Sequence, residues 1–169
     1  MPENPTDAER RKPFSLKSLF RWIIGALFTA FVAIQFVPVD RSNPPVTEDI
    51  PTSAEIKTVL RRACYDCHSN ETVWPWYTYV APASWLAAKD VHEGREHLNF
   101  SVWNSYDTKE QVELMHESWE EIEEGEMPLW FYTPMHRDAR LSQDDRLRLQ
   151  TWAISTPRQN ESENDEDDD

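Results

Sequence analysis

Two cysteines and a histidine form the most chemically informative stretch of the chain, Cys64-Tyr65-Asp66-Cys67-His68. In this C-x-x-C-H pattern the two thiols have the spacing that forms thioether bonds to a haem, and the next histidine can bind the iron. These are the only cysteines in 169 residues. The pattern predicts one covalent haem c, with Cys64 and Cys67 as attachment points and His68 as the proximal iron ligand.

Two other kinds of site use cysteines at this spacing. A redox-active C-x-x-C dithiol belongs with a thioredoxin-like β-α-β pattern, which this sequence lacks. A zinc site needs four ligands, and there is no second cysteine pair to complete one. The haem interpretation is favoured over both. Five histidines are available as further ligands: His68, His92, His97, His116 and His136.

A second iron ligand must come from elsewhere in the chain. A methionine thioether is a soft ligand that raises the reduction potential of a haem. Met127 is the predicted distal ligand, because it follows a helix-ending glycine, precedes a proline and lies in a loop that can aim a side chain. An open sixth position is the alternative that would change the function. The other candidate ligands are Met135, His136 and His97, whereas Met115 is predicted to pack in the core.

An uncharged apolar run occupies residues 22–39, and its 18 residues just suffice to cross a bilayer as a helix. A cleaved signal peptide would need small residues at its exit, and the Val37-Pro38-Val39 exit lacks them. An uncleaved anchor is therefore favoured. Residues 1–21 form a basic N-terminus with five Lys and Arg, against Arg41 alone just after the run. This asymmetry predicts a cytoplasmic N-terminus and an extracytoplasmic, periplasmic C-terminal domain at the inner membrane.

The rest of the chain divides into three parts. Residues 40–52 contain three prolines and are predicted to be an extended tether. Residues 53–156 are predicted to form the haem-binding domain. Residues 157–169 are predicted to be a disordered acidic tail, since seven of the last nine residues are acidic.

An all-α domain of about four helices is predicted from apolar periodicity and capping signals. The first helix begins at the Thr52/Glu55 capping box, and its apolar stripe of Ile56, Val59, Leu60 and Ala63 leads into Cys64. The second covers residues 83–92, is frayed by Gly94, and precedes a loop over residues 95–103.

The last two predicted helices lie on either side of the loop that contains Met127. The third begins at the Thr108/Gln111 capping box and ends at Gly125, with an apolar face of Val112, Met115, Trp119 and Ile122. The fourth is capped by Ser142 with Asp145. The sequence thus predicts that helices carry Cys64 and position the loop of Met127.

The charge of the chain excludes some partners. The net charge is −14, which argues against nucleic acid, because a phosphate backbone requires clustered basic residues. The glutamates of the third predicted helix and the acidic tail could instead steer an unknown, basic redox partner.

The motifs together resemble the bacterial haem-binding domain family of membrane-tethered, cytochrome c-like proteins. The resemblance covers about residues 35–155. It implies a cytochrome c-like fold, one covalent haem and a periplasmic location, with Cys64, Cys67 and His68 as attachment and proximal residues; Met127 lies in the matching Met-Pro element. The residues that carry it are Cys64 to Thr72, the Trp-Pro-Trp-Tyr and Ala-Pro-x-Ser-Trp stretches, Glu93 to Ser101, and Gly125-Glu126-Met127-Pro128 with Tyr132, His136, Leu141 and Ser142.

A non-enzymatic one-electron carrier is the predicted function. A haem-based sensor or scaffold is one alternative, and it would need a weak or absent sixth ligand. A peroxidase-like enzyme is the other. It would need an acid–base pair beside an open iron, for which the sequence offers His97 with Glu96 or His136 with Arg137.

Overall fold

A computed structural model describes residues 15–155 of the chain. This part is helical, and its only β feature is an isolated parallel bridge between Glu48 and Val102. The predicted all-α class is therefore confirmed. The α-helices are α1 (Leu16–Ile34), α2 (Ala54–Ala63), α3 (Tyr65–His68), α4 (Ala83–His97), α5 (Thr108–Glu124) and α6 (Gln143–Ala153), with short 3-10 turns at Trp76–Tyr79, Trp103–Ser105 and Arg137–Ala139.

The four predicted domain helices correspond to α2, α4, α5 and α6, but two of them start one residue away from the predicted cap. Ser53, not Thr52, caps α2, because its hydroxyl accepts from the Ile56 amide. Asp107 with Glu110 forms the capping box of α5. In each case two polar residues are adjacent, and only the geometry of the first turn decides between them. The predicted Ser142 cap of α6 is confirmed.

The second predicted helix is longer than expected. α4 continues through Gly94 to His97, so the predicted fraying at Gly94 and the loop from residue 95 are wrong. Glycine costs a helix about 1 kcal/mol relative to alanine. Close packing of α4 against α3, described below, offsets this loss of helix stability.

The core lies between α2, α5, α6 and the segment that follows α4. The predicted α2 stripe is fully buried, and Phe100 and Leu149 are among the largest side chains with almost no exposure. Met115 and Trp119 of α5 pack against the same buried cluster. This core cluster consists of Ile50, Ile56, Val59, Leu60, Tyr65, Leu98, Phe100, Trp103, Ile122 and Leu149.

α1 is long and apolar enough to cross a membrane, and none of its residues is buried within the protein. It begins before the uncharged run and ends at Ile34, so residues 35–39 lie beyond the helix. The basic residues 1–14 and the predicted acidic tail from residue 157 lie outside the described residues.

The segment predicted as a tether lies against the domain. The Ile50 side chain is buried in the core cluster, and the Thr47 and Ile50 amides donate to the Ser101 and Phe100 carbonyls. Arg95 donates to the Ser42 carbonyl. Apolar and hydrogen-bonding partners on the domain thus hold the predicted tether segment in place.

One ion pair of the fold gives a pH-dependent prediction. Arg62 of α2 and Asp145 of α6 lie 2.5 Å apart (Nη2 to Oδ1), and Arg62, assisted by Ser142, lowers the pKa of Asp145 to about 2. Unfolding returns the carboxyl to an ordinary pKa of about 3.9. The stabilisation is therefore present above about pH 4 and is lost as the pH falls to about 2.

We expect Asp145→Asn to lower the free energy of unfolding by on the order of 1 kcal/mol at pH 7, the upper end for a partly exposed pair. The difference from wild type should shrink between pH 4 and pH 2 in chemical denaturation of the full chain. Asp144→Asn is the matched control, since Asp144 pairs with Arg148 in the same first turn. A stability difference between Asp145→Asn and wild type that stayed constant down to pH 2 would show that the Arg62–Asp145 ion pair is not its source.

Candidate functional site

The C-x-x-C-H stretch is a single helical turn at the end of α2. Cys64 follows the last residue of α2, and its amide donates to the Leu60 carbonyl. The Cys67 and His68 amides both donate to the Cys64 carbonyl, at 3.1 and 2.9 Å, which closes the turn of α3. Both cysteines are free thiols. The fold therefore holds two thiols and an imidazole within one turn of backbone.

His68 is held by two backbone carbonyls. Its Nδ1 lies 2.9 Å from the Gly94 oxygen and 3.1 Å from the Leu98 oxygen, both at the end of α4. Because carbonyls only accept, Nδ1 must carry the proton, and the lone pair is left on Nε2. Burial also lowers the pKa of His68, which favours the neutral ring. A neutral imidazole oriented through its other nitrogen is the form that binds a metal.

Gly94 lets α4 approach this turn closely. A Cβ at this position would lie 2.8 Å from the Cys67 carbonyl oxygen and 3.2 Å from the Cys67 carbonyl carbon and Cβ. The obstructing atoms are mostly backbone and cannot rotate away. Gly94 thus sets the distance at which the helix end carries its carbonyls to His68. The sequence signal was a glycine inside a helical stretch, which often marks a close backbone approach.

We expect Gly94→Ala to destabilise the protein by about 1–3 kcal/mol, the usual cost of forcing extra atoms into a packed contact. This is the reverse of the gain of about 1 kcal/mol that alanine gives in an open helix. The free energy of unfolding measures it. Gly25→Ala is the control, because a Cβ at Gly25 in α1 meets nothing within 4 Å. Equal stability of the Gly94→Ala variant and wild type would contradict the packing argument.

The two thiols lack the features of the alternative sites. Desolvation raises the pKa of Cys64 and of Cys67 to about 12, whereas a redox-active dithiol has a lowered thiol pKa. Within residues 15–155, no three His, Cys, Asp or Glu side chains are grouped so as to hold a metal ion. Neither an activated dithiol nor a zinc site is supported in the described part of the chain.

Met127 lies in the loop after α5, as predicted. Gly125 ends α5 with a φ of 84°, and the amides of Glu126 and Met127 both donate to the Glu121 carbonyl. The Met127 side chain is half-buried and packs against the core cluster, which Cys64 also contacts. Met135 in the same loop is 58% exposed. Met127 thus contacts the core cluster, whereas Met135, although partly exposed, lies on the wall of the cavity beside Cys67 that is described below.

A hydrogen-bond network connects this loop to α3. The Tyr132 hydroxyl donates to Asp66 Oδ2 at 2.7 Å, and Asp66 lies between the two cysteines. The His136 ring stacks on Tyr132 at 4.0 Å, and its Nε2 lies 2.7 Å from the Tyr77 hydroxyl. The network joins the segment that follows Met127 to the C-x-x-C-H turn. This network was not predicted from the sequence. The sign of it in the sequence was Asp66, the acidic residue inside the C-x-x-C-H motif.

The two histidines proposed for an acid–base pair are not equivalent. Nδ1 of His136 lies 4.0 Å from Asp66, so both ring nitrogens face a partner, and the ring is largely buried. His97 and Glu96 are both exposed at the end of α4.

A cavity of about 220 Å³ lies beside Cys67. Its walls are largely aromatic and aliphatic, and they include Trp74, Leu86 and Phe131. The Trp74 Nε1 is buried and has no hydrogen-bond acceptor within the described residues. An apolar wall with an unpaired donor fits a flat, largely apolar ligand that carries carboxylates, as haem does. Of the candidate site residues, Cys67, Met135 and His136 line this cavity, whereas Cys64, His68 and Met127 are not among its lining residues. The chemistry of the two thiols and the imidazole, beside an apolar cavity, fits a haem.

The comparisons with known proteins agree with this chemistry. A model of the haem-binding domain family matches residues 29–155, from the second half of α1 to the end of α6. Neither the search of curated proteins nor the search of solved structures finds a match. The matched region covers most of the chain and contains every candidate ligand discussed above. The chain therefore belongs to the haem-binding domain family.

Proposed function

We propose that the chain is a monohaem c-type electron carrier, anchored to the inner membrane and facing the periplasm. The observation that carries this proposal is the environment of His68. Two carbonyls of α4 hold Nδ1 and leave Nε2 free, and two free thiols lie in the same helical turn. A protein that only held haem loosely would not need this combination of covalent attachment points and an oriented imidazole.

Cys64 and Cys67 would hold the haem through thioether bonds, and His68 would be the proximal ligand. When bound, the haem supplies an iron that alternates between Fe(II) and Fe(III) by one electron. The protein residues orient the group and keep water from it. Leu98 and Gly94 fix the tautomer of His68, and Phe100 lies edge-on to its ring at 6.4 Å between centroids.

Met127 would be the distal ligand. Its partial burial against the cluster that Cys64 also contacts supports this role, and so does the Tyr132–Asp66 hydrogen bond between its loop and α3. His136 is less suited, because Tyr77 and Tyr132 already contact its ring. A thioether ligand closes the iron to exogenous ligands, which favours electron transfer over sensing or peroxide chemistry.

The anchor and the partner follow from charge and hydropathy. α1 would span the membrane, and the excess of Lys and Arg before it favours a cytoplasmic N-terminus. Glutamates cover the exposed side of α5, which supports an encounter with a basic redox partner. Such steering would weaken as salt screens the charges.

A redox titration of the purified full chain tests the function. We expect a single, reversible, one-electron transition that is followed by the optical spectrum of a covalently bound, low-spin haem. The reduced protein should not bind carbon monoxide promptly, since the sixth position is occupied. The measurement needs no knowledge of the physiological partner.

Two outcomes would replace the proposal. Prompt carbon monoxide binding to the reduced protein would indicate an open sixth position and a sensor or scaffold. Sustained turnover of peroxide with an electron donor would indicate a peroxidase-like enzyme. Absence of haem from correctly exported protein would overturn the proposal altogether.

A further inference from the structure

The end of α1 is clamped to the domain. Gln35, the residue that follows the helix, accepts from the Ala81 amide at 2.9 Å and donates to the Ala81 carbonyl at 3.2 Å. It also donates to the Phe31 carbonyl of α1. A two-point amide pair of this kind fixes distance and orientation together. The turn that contains Ala81 therefore lies directly at the point where α1 ends.

The helical part of the apolar run is short for a bilayer. From Trp22, the first residue after the charged Arg21, to Ile34 there are 13 residues, which span about 20 Å at 1.5 Å per residue. The hydrocarbon core of a bilayer is about 30 Å thick. Extension of the Arg21 side chain towards the headgroups recovers only part of the difference. Leu16, Leu19 and Phe20 of α1 can supply the remaining length on one side of the membrane, and Phe36 and the groups beyond Ile34 can supply it on the other.

Exposed apolar side chains surround the clamp. Phe36, immediately after Gln35, is 82% exposed. On the domain side, Trp76 is 73% exposed and Tyr79 59% exposed, and Val80 and Leu86 are also exposed. Val80 and Tyr79 are one and two residues from Ala81 in the chain, so their backbones are within about 8 Å of it. Exposed apolar side chains thus lie on both sides of the clamp: Phe36 next to Gln35, and Tyr79 and Val80 next to Ala81.

We propose that this surface, formed by Phe36, Trp76, Tyr79 and Val80, docks into the interface of the periplasmic leaflet. The haem domain would then lie directly on the bilayer, instead of standing off from it on a tether. The inference rests on the proposed membrane anchoring by α1. It adds a second surface of the protein that contacts lipid, and it specifies how the domain is oriented on the bilayer.

The residue types favour lipid over a protein partner. Trp and Tyr are the residues that concentrate at membrane interfaces, where an apolar ring and a polar edge are both accommodated. Arg41 lies among them: its guanidinium is 4.6 Å from the Tyr79 ring centroid and donates to the Thr78 carbonyl. A cation stacked on an aromatic ring suits the phosphate level of a bilayer. Continuity with the anchor also means that lipid already surrounds one side of this surface.

Site-specific photo-crosslinking in nanodiscs of phosphatidylcholine tests the proposal on the full, haem-loaded chain. A photoactivatable phenylalanine analogue replaces Tyr79, Trp76, Phe28 or Leu147 in separate samples, and lipid adducts are measured by mass spectrometry. Phe28 lies within α1 and reports on anchoring. Leu147 is the matched control, because it is 60% exposed on α6, which packs on α2 and α5.

We expect adduct yields at Tyr79 and Trp76 at least about five-fold above the yield at Leu147, as interfacial residues require. Adducts at Phe28 without adducts at Tyr79 and Trp76 would overturn the docking while leaving the anchor intact. No adduct at Phe28 would overturn the anchor itself. Crosslinks from Tyr79 to a second copy of the chain would replace lipid with a protein interface.

A second measurement avoids any substitution. Unmodified protein in nanodiscs that contain a photoactivatable phosphatidylcholine is illuminated, digested and mapped. The segment from residue 73 to residue 88 should carry the label more than the α6 segment does. Equal labelling of the two segments would contradict the proposal even if a substituted chain had failed to fold.

Discussion

The chain in which both Cys64 and Cys67 are replaced by alanine is expected to carry no haem after denaturation. The two thiols are the only ones in the chain, so no other residue can form a thioether bond. Haem that still bound through His68 would be extracted by acid and solvent. Haem staining of denaturing gels and the intact mass of the full chain measure the loss, which should be complete.

The single variants make this result specific. Cys64→Ala or Cys67→Ala should each leave one thioether bond, and the spectrum of the pyridine complex should fall between those of a fully attached and a free haem. His92→Ala is a suitable control, since His92 is exposed on α4 and pairs with Glu96. Covalent haem in the double variant would show that the motif does not attach it.

The periodic parts of this fold could be predicted from the sequence. The apolar stripe of α2 and the glycine end of α5 depend on local spacing and local backbone conformation, and both occur where predicted. The predicted stripe also leads into Cys64, but α2 ends at Ala63, and Cys67 and His68 lie in the separate turn of α3. The predicted start of α2 missed by one residue because Thr52 and Ser53 are both good caps.

The groups that orient His68 could not be predicted in this way. They are main-chain carbonyls of Gly94 and Leu98. Every residue has a main-chain carbonyl, so the sequence does not show which of them contact His68. Their position depends on how closely α4 approaches α3, which is a property of tertiary packing. The sequence suggested that Gly94 would weaken the helix, whereas the absence of its side chain is what allows the approach.

The segment from residue 40 to residue 52 shows a different limit. Three prolines predict extended chain, and an extended chain can either span solvent or lie along a surface. In the structure this segment lies along the domain surface, since Ile50 is buried and the Asn43 side chain donates a hydrogen bond to the Thr72 carbonyl. These partners lie far along the chain, so composition alone gives no sign of them. The consequence is functional, because the haem domain is held close to the end of α1.

The Met127→Ala variant is expected to lose the charge-transfer absorption that an iron–thioether bond gives in the oxidised state. Its reduction potential should fall by on the order of 100 mV, a fraction of the roughly 0.8 V range that axial ligands control. The thioether favours Fe(II), so its removal favours Fe(III), and about 59 mV corresponds to a ten-fold change in that preference. Optical redox titration of the full chain measures both effects.

Met135→Ala is the matched control for this experiment. It removes the same side chain from the same loop, at a position that lines the cavity beside Cys67, whereas Met127 packs against the core cluster, so the pair of variants distinguishes the two candidate thioethers. Its spectrum and potential should match those of wild type. Tyr132→Phe gives an intermediate case, because it breaks the hydrogen bond to Asp66 and leaves the thioether in place. An unchanged spectrum and potential in Met127→Ala would assign the sixth position to another residue or leave it open, and the electron-carrier proposal would lose its closed iron.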